Sequence, residues 1–568
     1  MKGFLNSQND KNKKISDRKF TLRLNDMKLK ALKYQNSGNL TKASEIYEKL
    51  IRYKIQDYKV YLNYGILCQF LKKYDSALEL FNKSLNLNPN NYLANFKIAF
   101  ILNELGRYSF SLNYAQKSLL LEPNKWQIYM LNIQIYENLN QTKEALNIAN
   151  NANIKSPNNH NILTKLANLH AVLGDHESAD QYFLESLKLE PINTDTLYSY
   201  STFLLSLGNT NKSKELLIEI INIDRNYSIA YFSLSRILKL KDNYYAKKIL
   251  NFDIEIFNDN YSKYNLLFAK SNIYHRQSEF EKSKEYLIKA NNLKLIDKPD
   301  NSDKLINLSK LLSESKLEKS SYFVCNNNTE TQNIFIVGLP RSGSTLVESI
   351  LGMNENVFNL GENSIFYNSY NESKINNLKD LSRLYSSKVS LISNRKIATN
   401  KTLINYIYTP FILNNICNSK VVFTYRNPLD NILSLYRSKF TGKGNEYSSC
   451  IISSAKVLLN HVILMYKYKE IFKNNLYFLN YDLLVNKPNE QIEKLIKWFN
   501  WDWDDKYLSP ELSKQAFYTA SIVQVRSPIN NKSVNGWKNY VSLLKPAMDF
   551  IYENNSKLPN QFKKEFSI

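Results

Sequence analysis

The sequence predicts two structural classes in succession: a helical superhelical solenoid over residues 24–295, and an α/β domain with a central parallel sheet flanked by helices over residues 333–568. Three observations carry this expectation. Prolines at Pro89, Pro123, Pro157 and Pro191 recur every 34 residues, a period that marks stacked helix pairs. The run Ile334-Phe335-Ile336-Val337 has the length and branched apolar character of a buried parallel strand, and it leads directly into a loop holding Gly338 and Gly343. A second run of that kind, Val421 to Tyr425, precedes another helix start.

In the first half, the same beat places small residues Ala77, Ser111, Ala145, Ala179 and Ser213 where paired helices must approach closely. Phe81, Ala115, Ala149, Phe183 and Leu217 follow four residues later on the same helical face. Gly106, Gly174 and Gly208 fall between the two helices of a repeat, where a left-handed backbone ends the first one, and Asn140 takes that place once. Each periodic proline closes a repeat because it cannot continue a helix. The frame extends back to Gly38, Ala43 and Tyr47 and forward to weaker copies around Tyr231 to Ala246 and Leu267 to Ala290, giving roughly seven or eight units that bury their apolar faces on one another. The small and aromatic residues read as interhelical core. This stretch resembles the tetratricopeptide-repeat family, and the resemblance implies a concave surface that holds a peptide or protein partner.

Composition bounds the rest. With 568 residues, 43% hydrophobic and 22% charged, the chain is too long for one core and has ample core material. A net charge of +23 would suit nucleic acid, but the lysines are spread along the whole chain among many Asn, Ile and Tyr residues, 40 Tyr against 13 Gly, so the charge reads as compositional bias and no nucleic-acid partner is expected. Cys68, Cys325, Cys417 and Cys450 show neither metal-ligand nor disulfide-framework spacing. Residues 1–23 are polar, lack the apolar core of a signal peptide, and no apolar run is long enough for a membrane span, so a cytoplasmic location is expected. Residues 296–332 lose the period and read as a connector.

Gly338-Leu339-Pro340-Arg341-Ser342-Gly343-Ser344-Thr345, between a strand and a helix, has the order of an anion cradle, with backbone N–H groups and the helix dipole directed at a phosphate. The segment is P-loop-like. Against the nucleotide pattern GxxxxGK[ST] it keeps both glycines and Thr345, but Ser344 stands at the lysine position, which argues against an ordinary ATPase. Arg341 instead puts a guanidinium inside the loop. After the second strand, Arg426-Asn427-Pro428-Leu429-Asp430 and then Ser434 can bring one charge and one hydroxyl to a second phosphate.

GLPRSGSTLVESIL closely resembles the 5′-phosphosulfate loop of sulfotransferases, above all the tetratricopeptide-linked bacterial kind and tyrosylprotein sulfotransferases, and RNPLDNILS is similar to the family's 3′-phosphate motif RxPxDxxxS. The resemblance implies a sulfotransferase using PAPS (3′-phosphoadenosine 5′-phosphosulfate) as co-substrate, without a metal, bound by Pro340, Arg341, Ser342, Gly343, Ser344, Thr345, Arg426 and Ser434. By the same resemblance Glu362 is the candidate base, Arg341 and Lys401 stabilise the transferred and bridging oxygens, and Ser521 donates to the leaving phosphate. Tyr481 falls where an aromatic lies beside the adenine, with a core strand residue as the other reading, and Lys532 or Lys538 helps hold the cofactor. Asn400 stands where the family commonly has Asp before the lysine. The acceptor is a hydroxyl, of a protein or peptide tyrosine or of a glycan. Two other readings stay open: a repeat scaffold with an inactive PAPS-binding domain, and an ATP-dependent phosphotransferase.

Overall fold

The computed structural model describes residues 2–314 and 331–567, apart from 241, 377, 441–443, 514–518 and 520. The polar stretch Cys325 to Glu330 lies outside the described residues, as does Ala520. The chain packs as two units, Met1–Leu173 and Gly174–Ile568.

The first unit is helical. After Lys2–Asn36 come Leu40–Arg52, Tyr58–Phe70, Tyr74–Leu87, Tyr92–Glu104, Tyr108–Leu121, Trp126–Asn138, Thr142–Lys155 and His160–Leu173. Each helix that ends a repeat stops two residues before a periodic proline, at Leu87, Leu121 and Lys155. Asn39, Asp57 and Asn91 cap the helices that follow them by accepting backbone N–H bonds, which satisfies donors that a helix start otherwise leaves unpaired. Gly106 and Asn140 have the expected left-handed backbone, with φ of 75° and 58°. Lys72 holds the same place with φ 58°, a position that a search for glycine overlooks. Ala77, Ser111, Ala145, Phe81, Ala115 and Ala149 are fully buried. Gly65 permits the closest approach, since a Cβ there would stand 2.6 Å from the Phe81 ring.

In the second unit the repeat pattern continues through His176–Leu189, Thr194–Ser206, Thr210–Ile223, Ser228–Ile237, Asn243–Leu250, Asn260–Arg276 and Phe280–Asp297, followed by Ser302–Glu314. A five-stranded parallel sheet then forms from β1 (Gln332–Gly338), β2 (Val357–Asn359), β3 (Ile397–Asn400), β4 (Ser419–Tyr425) and β5 (Leu476–Asn480), in the order β2-β3-β1-β4-β5. β1 lies in the middle, pairing Asn333 with Ser419 on one side and with Ala398 on the other. It is buried from Asn333 to Gly338, as a strand covered on both faces must be. Connections run outward from β1 in both directions, so the ends of β1 and β4 open a crevice at the switch point, where α/β sheets take ligands.

The apolar core runs without interruption from the last repeats into this domain: Phe232, Tyr264, Phe268 and Leu287 belong to the same cluster as Phe335, Val337, Phe423 and Leu544. Among the described residues no helix is long and apolar enough to cross a membrane. One expectation needs correction. Among the described cysteines, Cys417 is disulfide-bonded, which its spacing along the chain does not signal, while Cys68 and Cys450 are free.

His461 is 2% exposed, its ring 4.4 Å from Tyr406 and 4.9 Å from Phe423. Burial pushes its pKa down to about 3. The folded chain therefore keeps it neutral while the unfolded chain protonates it below its ordinary value, so stability is intact above that value and falls as the pH drops towards 3. Each pH unit in that window removes about 1.4 kcal/mol through this residue. Thermal melts across pH 7 to 5 should show a flatter loss of midpoint in His461→Phe than in the parent chain.

Candidate functional site

β1 delivers the loop Leu339-Pro340-Arg341-Ser342-Gly343 to the N-terminus of the helix Ser344–Leu351. Gly338 can turn there because it has no side chain: a Cβ would stand 2.5 Å from the Thr424 carbonyl. Arg341 itself takes a left-handed backbone, φ 70°, which is costly for a residue with a side chain and is a feature of sites where the backbone is held for a purpose. Ser342 is buried, its hydroxyl 2.7 Å from that of Thr424, and the Pro340 carbonyl accepts from Asn431 at 3.0 Å. These bonds tie the loop to β4 and to the helix Pro428–Tyr436.

The Arg341 guanidinium joins three distant segments. Its Nε donates to Ser434 Oγ at 3.0 Å and its Nη1 to Ser521 Oγ at 2.5 Å. Ser434 belongs to the segment after β4, and Ser521 to the segment near the C-terminus, whose Thr519 lies 3.4 Å from the Thr345 hydroxyl. Burial, then the fields of Arg236, Arg426 and Arg437, push Arg341 down to about 10. So much converging positive charge favours whatever anion enters.

Arg426 follows β4 and is 6% exposed. Its Nη2 donates to the Ser533 carbonyl at 2.7 Å and lies 3.6 Å from Asp430, while its Nε faces the Asp482 carboxylate at 3.8 Å. Asp430 is turned to structural use, accepting from the N–H groups of Asn535 and Trp537. Neither Arg426 Nε nor the Asp482 Oδ1 it faces makes a hydrogen bond, so the two are held as neighbouring charges. Tyr481 stands at the first turn of the helix Tyr481–Asn486, directly after β5. Its ring lies 4.8 Å from the Arg426 guanidinium and so close to Gly343 that a Cβ there would approach within 2.3 Å. Its hydroxyl is 3.0 Å from that of Ser533.

These parts line one cavity of about 1070 Å³, which takes in Pro340, Arg341, Gly343, Ser344, Thr345, Glu362, Arg426, Ser434, Tyr481, Ser521 and Lys532. Three of the sequence candidates stand elsewhere. Ser342 is packed beneath the loop against Thr424, Lys538 is on the turn Gly536–Tyr540 and is absent from the lining, and Lys401 is fully buried behind it.

Lys401 reaches the site through carboxylates. Its ammonium donates to Glu362 at 2.8 Å and lies 3.8 Å from Glu348. Glu362 is half exposed at its side chain, so the pair orients a carboxylate that faces the cavity. Glu348 was not apparent from sequence. It is 1% exposed on the loop helix, accepting from Gly361 N–H and from the Thr399 hydroxyl, each at 3.2 Å. Burial pushes its carboxyl up, opposed by Lys401 and by those hydrogen bonds. Asn400 bonds Asn363 and Asn405 and its Oδ1 accepts from the Thr402 N–H, fixing the turn that carries Lys401.

Together the loop offers donors to one anionic group, Arg426 and its neighbours offer donors to a second, and an oriented carboxylate stands beside them. That combination suits transfer of an anionic group from a doubly charged nucleotide to a nucleophile whose proton a carboxylate takes.

Residues 333–505 match the Sulfotransferase family, and residues 58–91 and 160–193 match tetratricopeptide repeats. An uncharacterized protein of Aquifex aeolicus (strain VF5) is 27% identical over 318 residues, which is 51% of this chain and 42% of that protein; the match thus spans about two fifths of the relative's length. Among solved structures, a thermophilic tetratricopeptide-repeat protein of Thermus thermophilus is 19% identical, covering 32% of this chain and 98% of its own with a TM-score of 0.29. A tetratricopeptide repeat protein from Parabacteroides merdae ATCC 43184 is 18% identical, covering 42% and 94% with a TM-score of 0.34. The chain thus carries tetratricopeptide repeats ahead of a stretch that matches the Sulfotransferase family.

Proposed function

We propose that the C-terminal domain is a PAPS-dependent sulfotransferase acting on an acceptor hydroxyl. The observation that carries this reading is the Arg341 guanidinium held between Ser434 and Ser521, because it unites the loop, the RxPxDxxxS segment and the closing segment around one anion. Two features of the cavity fit the donor: the loop at Gly343, packed so closely under the Tyr481 ring that no Cβ fits between them, and the buried guanidinium of Arg426 beside that same ring. In this reading the loop N–H groups, Thr345 and Arg341 hold the 5′-phosphosulfate, and Arg426 with Ser434 holds the 3′-phosphate. Tyr481 supplies a face for the base and Lys532 a further charge at the rim. PAPS supplies an activated sulfuryl group with a good leaving group.

The chain's own residues then do three things. Glu362, oriented by Lys401, takes the proton of the acceptor oxygen as that oxygen attacks sulfur in line. Arg341 gathers charge on the sulfuryl oxygens, and Ser521, bonded to it, donates to the phosphate oxygen that departs. Lys401 stays behind Glu362 and acts on the transferred group through that carboxylate. A peptide or protein held by the repeats is the partner this reading expects. The retention of Arg341, Glu362, Arg426 and Ser434 in one cavity speaks against an inactive scaffold, and Ser344 at the lysine position speaks against ATP.

Calorimetric titration tests the donor. Adenosine 3′,5′-bisphosphate should bind at least about a hundredfold more tightly than ATP, since two oriented charge-assisted sites act together; preference for ATP would overturn the reading. Gly343→Ala should weaken the bisphosphate by about tenfold or more, because the methyl group must displace the Tyr481 ring or the loop. For the base, Glu362→Gln should keep the bisphosphate affinity while turnover with radiolabelled PAPS falls by about two to four orders of magnitude. An unchanged rate would remove Glu362 from the mechanism.

A further inference from the structure

The cavity has a wall that the donor does not explain. Beyond Arg341 and Arg426, the lining includes Arg236 and Arg276 from the repeat helices Ser228–Ile237 and Asn260–Arg276, and Arg437 and Lys439 from the turn after the helix Pro428–Tyr436. Against these, the carboxylates among the lining residues are Glu362 and Asp430. Glu362 is occupied by Lys401, and Asp430 by Arg426 and two backbone N–H groups.

Among the described residues, Arg276, Lys439 and Arg437 hydrogen-bond to neutral partners. Arg276 donates to the carbonyls of Ser235 and Arg236 at 2.9 and 3.3 Å; the charge of Asp242 reaches it without an ion pair. Lys439 donates to Asn265 Oδ1 at 2.6 Å and lies over the Phe232 ring at 4.6 Å. Arg437 Nη1 is 2.9 Å from His275 Nε2, and His275 Nδ1 is 2.8 Å from the Tyr540 hydroxyl, which donates to Ser283. Burial, then the charges of Arg437 and Arg276, push His275 down to about 3, so the ring is neutral and accepts from Arg437 while donating to Tyr540. The relay pins Arg437 and leaves its Nε buried without a hydrogen-bond partner. A polar donor in that state is costly unless a ligand meets it. Burial and neighbouring cations push Lys439 down to about 7, which expresses the same electrostatic crowding.

We propose that the last repeats form the acceptor wall of the catalytic cavity, and that the acceptor is a small hydroxyl compound carrying its own anionic group, held by Arg437, Arg276 and Lys439. This rests on the sulfotransferase reading, which assigns Arg341 and Arg426 to the donor. Donor and acceptor share the same cavity of about 1070 Å³, which has room for a nucleotide and a small acceptor side by side. Recessed, pinned guanidinium groups also suit a rigid carboxylate or sulfate more than flexible acidic side chains.

Two isosteric pairs test the charge itself: glucuronate against glucuronamide, and 4-hydroxyphenylacetate against 4-hydroxyphenylacetamide. Binding to the full chain is followed by ligand-observed NMR with and without saturating adenosine 3′,5′-bisphosphate. At least one acid should bind about tenfold or more tightly than its amide, with the pair that responds distinguishing a sugar from a phenol. Arg276→Gln should erase most of that preference and leave the bisphosphate affinity unchanged, and Arg437→Lys, which keeps the charge but loses the fork, should reduce the preference severalfold. Equal binding of acid and amide, a preference that survives both substitutions, or binding only of an aspartate-flanked tyrosine peptide would overturn the proposal. Failure of the parent chain to bind the bisphosphate would instead overturn the donor assignment, and the acid-to-amide comparison without nucleotide still decides whether the wall selects anions.

Discussion

A single guanidinium organises the cavity. Arg341 stands on a left-handed backbone, and from there its side chain bonds Ser434 and Ser521 together. Through these two bonds the segment containing Ser521 is tied to the loop. The sheet makes this geometry possible. Parallel pairing of β1 with β4 puts Gly338 beside Thr424, so that the loop and the Arg426 turn leave the sheet from adjacent strand ends. Fixed donors in such a place need no rearrangement when charge develops, which is where most of their catalytic value lies.

Charge in the site is arranged in tiers. The buried Lys401 sits between a buried carboxylate, Glu348, and a half-exposed one, Glu362. A lone buried ammonium would be costly, and so would a lone buried carboxylate; together with Thr399 and the Gly361 N–H they satisfy one another. The outcome is a carboxylate whose position is set from beneath by groups that never meet the cavity. Arg426 is treated similarly, framed by Asp430 at its Nη2 and by Asp482 at its Nε.

Much of this was legible in the sequence because it is local. The period of Pro89 to Pro191, the strand-loop-helix order around Gly343, and the placement of Ser434 on the helix after Arg426 all follow from short-range rules of backbone and spacing. Other features are products of return. His275 meets Tyr540 from 265 residues away, and Arg236 and Arg276 look in sequence like any solvent-facing residues of a repeat. Glu348 was hidden for the same reason: a glutamate on a helix carries no mark of burial until Thr399 and Gly361 arrive around it. Lys72 shows a subtler limit, since a lysine can hold the left-handed turn that glycine usually signals.

The continuous core that joins Phe232, Tyr264 and Phe268 to the sheet domain gives the two ends of the repeat array different freedoms. Duplicating or losing a unit upstream of residue 174 alters the length of the array without touching a residue that lines the cavity. The same event among the later units removes side chains from the core shared with the sheet and from the cavity wall. Losing one of those units therefore costs the sheet domain part of its own packing, a burden that the earlier units do not carry.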